Sequence, residues 1–104
     1  MMKRKARSDR NHAIYQITNI VTGERYIGVI VAAGNVKKAL KVRIQKHIRR
    51  ALTENKGWAL CQNIRNYGVE SFEYGLFEIV RGKADAHARE RELTAILQPE
   101  LNTL

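Results

Sequence analysis

Two tyrosines stand eleven residues apart in AIYQITNIVTGERYIGVI, residues 13–30: Tyr15 and Tyr26. Further along, Arg43 and His47 are four apart, the spacing that brings two side chains to one side of a helix. Glu92 lies four residues before Ile96 and four after Ala88, so helical spacing sets it on an apolar face, where a carboxylate is costly without a partner. That partner is either a metal ion or a buried Arg. Together these residue types fit phosphodiester hydrolysis. A water must lose a proton, the charge gathering at phosphorus must be met, and the leaving oxygen must be neutralised. A phenol can act as general base, an Arg as charge stabiliser, and a carboxylate-held divalent ion as Lewis acid. A free phenol has a pKa of about 10, so only ~0.1% is phenolate at pH 7. Lowering that pKa by two to three units takes roughly 3–4 kcal/mol, which a cation-rich pocket around Arg43 and a divalent ion would supply. One phenol would then handle the proton while the other positions water or phosphate. Each residue also has a plainer role. Interior tyrosines are commonly core residues with a bonded hydroxyl, and Arg43 with His47 is equally an ordinary pair on a basic helix. His12 and His87 have weaker claims. No His, Cys and carboxylate spacing resembles a zinc site, and there is no Gly-rich nucleotide loop.

The elements that must position these groups follow from periodicity. Residues 12–19 and 25–31 alternate and are rich in β-branched types, with Gly23 for the turn, which predicts a hairpin. A loop around Gly34 follows. Residues 36–53 hold no acid, and Leu40, Ile44, Ile48 and Leu52 recur every four residues, the stripe of a helix packed on the core. Lys37, Lys38, Lys41, Lys46, Arg49 and Arg50 fall away from that stripe, and Arg43 and His47 fall at its edge. GWALCQNIRNYG predicts a short helix with Trp58, Cys61 and Ile64 inward and Gly68 as its stop. Residues 71–80 predict a third strand, and 84–97 a last helix ended by Pro99. The order β-β-α-α-β-α describes a small α+β fold, a three-stranded sheet with helices.

The chain has 104 residues, which suits one domain. Residues 1–11 form a basic arm, with Lys3, Arg4, Lys5 and Arg7 placed to lie along phosphates, and 12–104 form the folded part. Nineteen Lys and Arg against ten Asp and Glu give a formal charge of +9, which makes a polyanion the leading partner class. No apolar run approaches the roughly 18 residues that span a bilayer, so no membrane association is expected, and the basic start leads into no apolar secretory segment. The single cysteine, Cys61, cannot form an internal disulfide and reads as a small core residue; a reducing, cytoplasmic setting is expected.

Ala13-Ile14-Tyr15 followed by Tyr26-Ile27-Gly28 resembles the paired signature of the GIY-YIG nuclease superfamily. Arg43 with His47 is similar to its helix motif, and NYGVESFEYGLFEIV to the stretch leading into its third strand. Glu92 resembles its metal-binding glutamate, and PELN, ending in Asn102, its closing asparagine motif. The resemblance covers about residues 12–104. Ala13 stands where the name-giving glycine belongs, and the segment from Gly28 to Arg43 is longer than the pattern, which offers a substrate-contacting loop. The resemblance implies an antiparallel three-stranded sheet flanked by helices and a DNA endonuclease using one Mg²⁺ or Mn²⁺ held by Glu92. In it, Tyr15 is the general base, Tyr26 its partner on the water side, Arg43 the phosphate clamp, His47 an aid to the phenol, and Asn102 an organiser behind the site. Members of this family usually carry a separate DNA-binding domain. Here the arm and basic helix would grip duplex or branched DNA, and double-strand cleavage would need a homodimer or a partner protein. The competing reading is a catalytically silent basic module that binds nucleic acid; an RNA-directed role lacks the aromatic sheet motif it would use.

Overall fold

The computed structural model describes residues 10–32 and 34–102. Lys3, Arg4, Lys5 and Arg7 of the basic arm lie outside the described residues.

The hairpin forms as its alternation requires. Strand β1, Asn11–Asn19, pairs antiparallel with β2, Arg25–Val31, and the turn between them uses Gly23 at φ +82°, a conformation that favours glycine. Asn19 secures this turn. Its buried side-chain oxygen accepts from the backbone N–H of Val21 at 2.9 Å and of Thr22 at 3.2 Å, and its amide donates to Asn63 at 2.7 Å. The third strand, β3, Phe72–Arg81, pairs antiparallel with the other side of β1, giving the sheet order β2-β1-β3 with β1 central.

Three helices complete the α+β fold: α1, Val36–Leu52; α2, Ala59–Tyr67; and α3, Lys83–Leu97. Asn35 caps α1 through its side-chain oxygen, which accepts from Lys38 N–H at 3.1 Å, and Arg49 and Arg50 sit in the last turn, where cations suit the helix dipole. Because β1 alternates, its two faces build two cores. Ala13, Tyr15 and Ile17 pack with Leu40, Ile44 and Ala51 of α1 and with Leu60, Cys61 and Ile64 of α2. Ile14 packs with Ile27 of β2 and Leu93 of α3. Among the described residues no helix is long and apolar enough to cross a membrane.

Two helix faces differ from the periodic reading. On α1 the buried set is Leu40, Ile44, His47 and Ala51, while Leu52 is exposed. The stripe therefore turns with the true helical period of 3.6 and carries His47 into the core, where a strict repeat of four had left it at the edge. On α3, Ala86 and Leu93 are buried and Glu90 and Leu97 half-buried, whereas Glu92 and Ile96 face outward, Ile96 at 70% exposed.

Candidate active site

The hairpin register decides where the phenols go. Tyr15 lies opposite Gly28 across the strand pair, and Tyr26 lies opposite Ile17, so Tyr15, Gly28 and Tyr26 share the sheet face under α1. The Tyr15 ring lies over Gly28: a Cβ built there would come within 2.6 Å of its Cζ and hydroxyl oxygen. Any larger residue at 28 would overlap the ring, which is the physical reason for glycine at this position. The rings of Tyr15 and Tyr26 are 6.1 Å apart between centroids, and Tyr26 meets His47 edge-on at 5.2 Å. His47 comes down from α1, and its Nε2 is 2.8 Å from the Tyr15 hydroxyl, a buried hydrogen bond. Tyr15, Tyr26 and His47 thus form one aromatic cluster, joining residues 32 apart in sequence.

Its electrostatics run against the expected phenolate. Burial first, then the neighbouring Tyr26, push the Tyr15 phenol well above the usual range, with Arg43 pulling the other way. Tyr26 is also raised, chiefly by burial. With Tyr15 only 1% exposed, desolvation of the anion outweighs the nearby guanidinium, so the expectation of a lowered phenol pKa is corrected. His47, 4% exposed, is pushed down to about 4 by burial and then by the cations Arg43, Arg50 and Lys46. It is therefore a neutral imidazole at neutral pH, hydrogen-bonded to the phenol and a poor acceptor of its proton. Its Nδ1 has no hydrogen-bond partner among the described residues.

The acidic residue that faces the cluster is Glu90, not Glu92. The Glu92 side chain is 64% exposed and pairs with Arg89 Nη1 at 2.8 Å; Arg89 in turn holds Glu78 at 3.2 Å. The phase of α3 explains the correction. Ala86, Glu90, Leu93 and Leu97 follow the intervals four, three and four that one helix face requires, whereas the set built on Ile96 is a surface set. Glu90, its side chain 24% exposed, lines a cleft of about 200 Å³ with Tyr26, Ile27, His47, Arg50, Trp58 and Asn102. It also acts electrostatically on both phenols, raising them. This residue was readable from the sequence: an acid four after Ala86 and three before Leu93 was the available signal.

The cleft lies at the free edge of β2. There Asn102 behaves as a fragment of a further strand: its amide donates to Ile27 C=O at 2.7 Å and its oxygen accepts from Ile27 N–H at 2.8 Å. Beside it, a Glu100 carboxylate oxygen accepts from Arg25 N–H at 3.1 Å. Arg43 is half-buried and lines a second cleft of about 240 Å³ with His12, Val29, Lys83 and His87. The two clefts adjoin through His87, whose Nδ1 is 3.5 Å from Glu90 Oε1. Arg43 also lines a groove with Lys38 and Lys46. Lys37, Lys38, Lys41, Lys46 and Arg49 are exposed along α1, Arg49 lying 3.9 Å from Glu54, and Arg50 is half-buried at the cleft.

A divalent ion is compatible with this donor set in one form only. Among the described residues no group of three or more His, Cys, Asp or Glu gathers, so the cage of a structural zinc is not offered. A lone carboxylate at an open cleft fits a hard cation that keeps several waters and takes the remaining oxygens from a phosphate, as Mg²⁺ does. Comparison with protein-family models, with curated proteins and with solved structures returns no match.

Proposed function

We propose that the chain is a divalent-metal-dependent DNA endonuclease, a reading carried by one observation: the Tyr15–Tyr26–His47 cluster reaches, through Tyr26 and His47, the same cleft that the inward carboxylate Glu90 lines. The two tyrosines of the GIY-YIG resemblance lie in this cluster with His47, and Glu90 stands in place of Glu92 as the acid. Bound there, Mg²⁺ or Mn²⁺ would supply Lewis-acid polarisation of a phosphate oxygen. Glu90 is the residue that would hold it.

The remaining steps belong to the chain. Tyr26 borders the cleft and is the phenol we assign to the attacking water. Tyr15 stands behind it, hydrogen-bonded to the neutral imidazole of His47, and holds the aromatic frame in place. Burial opposes a phenolate at either ring and an imidazolium at His47, so the water's proton passes to solvent at the open cleft. Arg43 clamps the phosphate, a task that suits its forked, permanently charged guanidinium. Asn102 keeps the β2 edge, and so Tyr26, in place. The exposed lysines of α1 bind the duplex backbone without regard to sequence.

The test is Mg²⁺-dependent nicking of supercoiled plasmid. Glu90→Gln is expected to lower the rate roughly 10³-fold, on the order of 4 kcal/mol, while retaining DNA binding in EDTA. Glu92→Gln is expected to stay within about threefold, as befits one member of an exposed ion pair. The raised phenols favour one rival, a silent binding module. Wild-type protein that binds DNA but cuts no linear, branched or flapped substrate with Mg²⁺ or Mn²⁺ would decide for that rival.

A further inference from the structure

The cleft that holds Glu90 has a mixed lining. Tyr26, His47, Glu90, Asn102 and Arg50 line it, and so do Trp58, Leu60, Cys61 and Leu101. Polar and apolar groups in one pocket suit a nucleotide, which carries both a phosphate and a base. Its volume of about 200 Å³ is below the roughly 300–1,000 Å³ of sites for drug-sized ligands, so it has room for one ring system.

Trp58 is the one aromatic among the apolar residues that line the cleft, beside Tyr26. It stands at the N-cap of α2, where Ser, Thr, Asp or Asn would hold the helix end, and it makes no side-chain capping bond. Helix formation therefore does not account for a tryptophan here. Its ring is half-buried against the core. Two cations lie over it, Arg50 Cζ at 5.3 Å from the ring centre and Lys56 Nζ at 5.8 Å, and Lys56 is exposed. An exposed cation over an aromatic ring is worth only about two- to fivefold in an equilibrium constant, whereas a stacked base is worth roughly ten- to a hundredfold. A base would therefore displace the exposed Lys56 from the ring, leaving its charge positioned for a flanking phosphate.

We infer that Trp58 is a stacking platform for an unpaired nucleobase next to the phosphate that is cut, and that the substrates are DNAs carrying a flap, a bulge or a single-stranded stretch. This rests on the reading of the chain as a DNA endonuclease and names its substrate class. A base held in a duplex is paired and stacked on its neighbours, so it does not enter the pocket; an unpaired one does so at little cost.

Trp58 is the single tryptophan of the chain, so intrinsic emission reports on this ring alone. Wild-type protein in EDTA is titrated with a short oligothymidylate, a flapped duplex and a blunt duplex, and binding is followed separately by anisotropy of labelled DNA. Emission is expected to be quenched to saturation by the oligothymidylate and the flapped duplex, and to hold steady while the blunt duplex binds. Trp58→Leu is expected to reduce the ratio of flap to duplex affinity about tenfold, and Trp58→Phe to restore most of it. Equal quenching by the blunt duplex overturns the inference. Flap binding without quenching, or no binding of the three DNAs, does the same. Because EDTA removes cleavage from the measurement, quenching by a protein that never cuts DNA would retain the base pocket and discard the nuclease. Cutting without quenching would do the reverse.

Discussion

The two flanks of strand β1 are built to different standards. Toward β2, Ile27 is buried, and the Tyr15 ring lies against the backbone of Gly28 with no room for a methyl group. Along β3 the packing is open: Tyr74, Leu76, Phe77 and Ile79 are all exposed, and no residue of the strand is fully buried. A dense interior holds its side chains in single rotamers, while an open one lets them move. Tyr26, His47 and Glu90 line the cleft at the β2 edge, with Tyr15 bonded to His47 behind them. The candidate site is therefore built on the dense flank, where side chains are held in place.

Four measurements would break or sharpen that contrast. The largest effect concerns acid. His47 titrates near 6.5 when unfolded and at about 4 in the fold. Below pH 6.5 the unfolded chain takes up a proton that the folded one refuses. Stability from this residue is thus intact above that pH, drains as pH falls, and is fully lost below about 4. The total is about 3 kcal/mol, from 1.36 kcal/mol for each unit between the two values. Urea melts at pH 7 and pH 4.5 should show it, and His47→Gln should flatten the difference.

Gly28→Ala comes next. Its methyl group must push Tyr15 aside, at a cost of about 2 kcal/mol. For a domain of this size that lowers Tm by roughly 10 °C in a thermal melt. Asn102→Ala removes both bonds to the buried Ile27 backbone and should cost about 1–2 kcal/mol by chemical denaturation. The smallest effect belongs to the open flank: Leu76→Thr, on β3, should stay within about 0.5 kcal/mol. A Leu76→Thr cost equal to that of Gly28→Ala would end the contrast between the flanks.

Most of the fold was legible because each element carried its own period. The hairpin, the three helices and the third strand all lie within a residue or two of where alternation, helical spacing, Gly68 and Pro99 put them. Facing was harder to read than existence. On α3 the apolar residues are few, and a single exposed Ile96 was enough to turn the inferred face from Glu90 to Glu92. On α1, Ala51 is small and gave no periodic signal, so His47 was read at an edge it does not occupy. The phenol pKa was misjudged for another reason. Sequence counts the cations near Tyr15 but not its burial, and burial is the larger influence. Asn19, which fastens the turn to α2 through Asn63, gave no cue beyond being an ordinary turn residue.

The clasp between Asn102 and Ile27 has a kinetic side. It ties together positions 75 residues apart, so the outer rim of the hairpin stays unfinished until nearly all the intervening chain has collapsed. Distant pairings of this kind slow folding, because the chain must be ordered before the contact repays it. During that interval β2 presents unpaired amides and carbonyls to any neighbouring strand. Refolding yield should therefore fall as protein concentration rises, well before the finished molecule shows any tendency to associate.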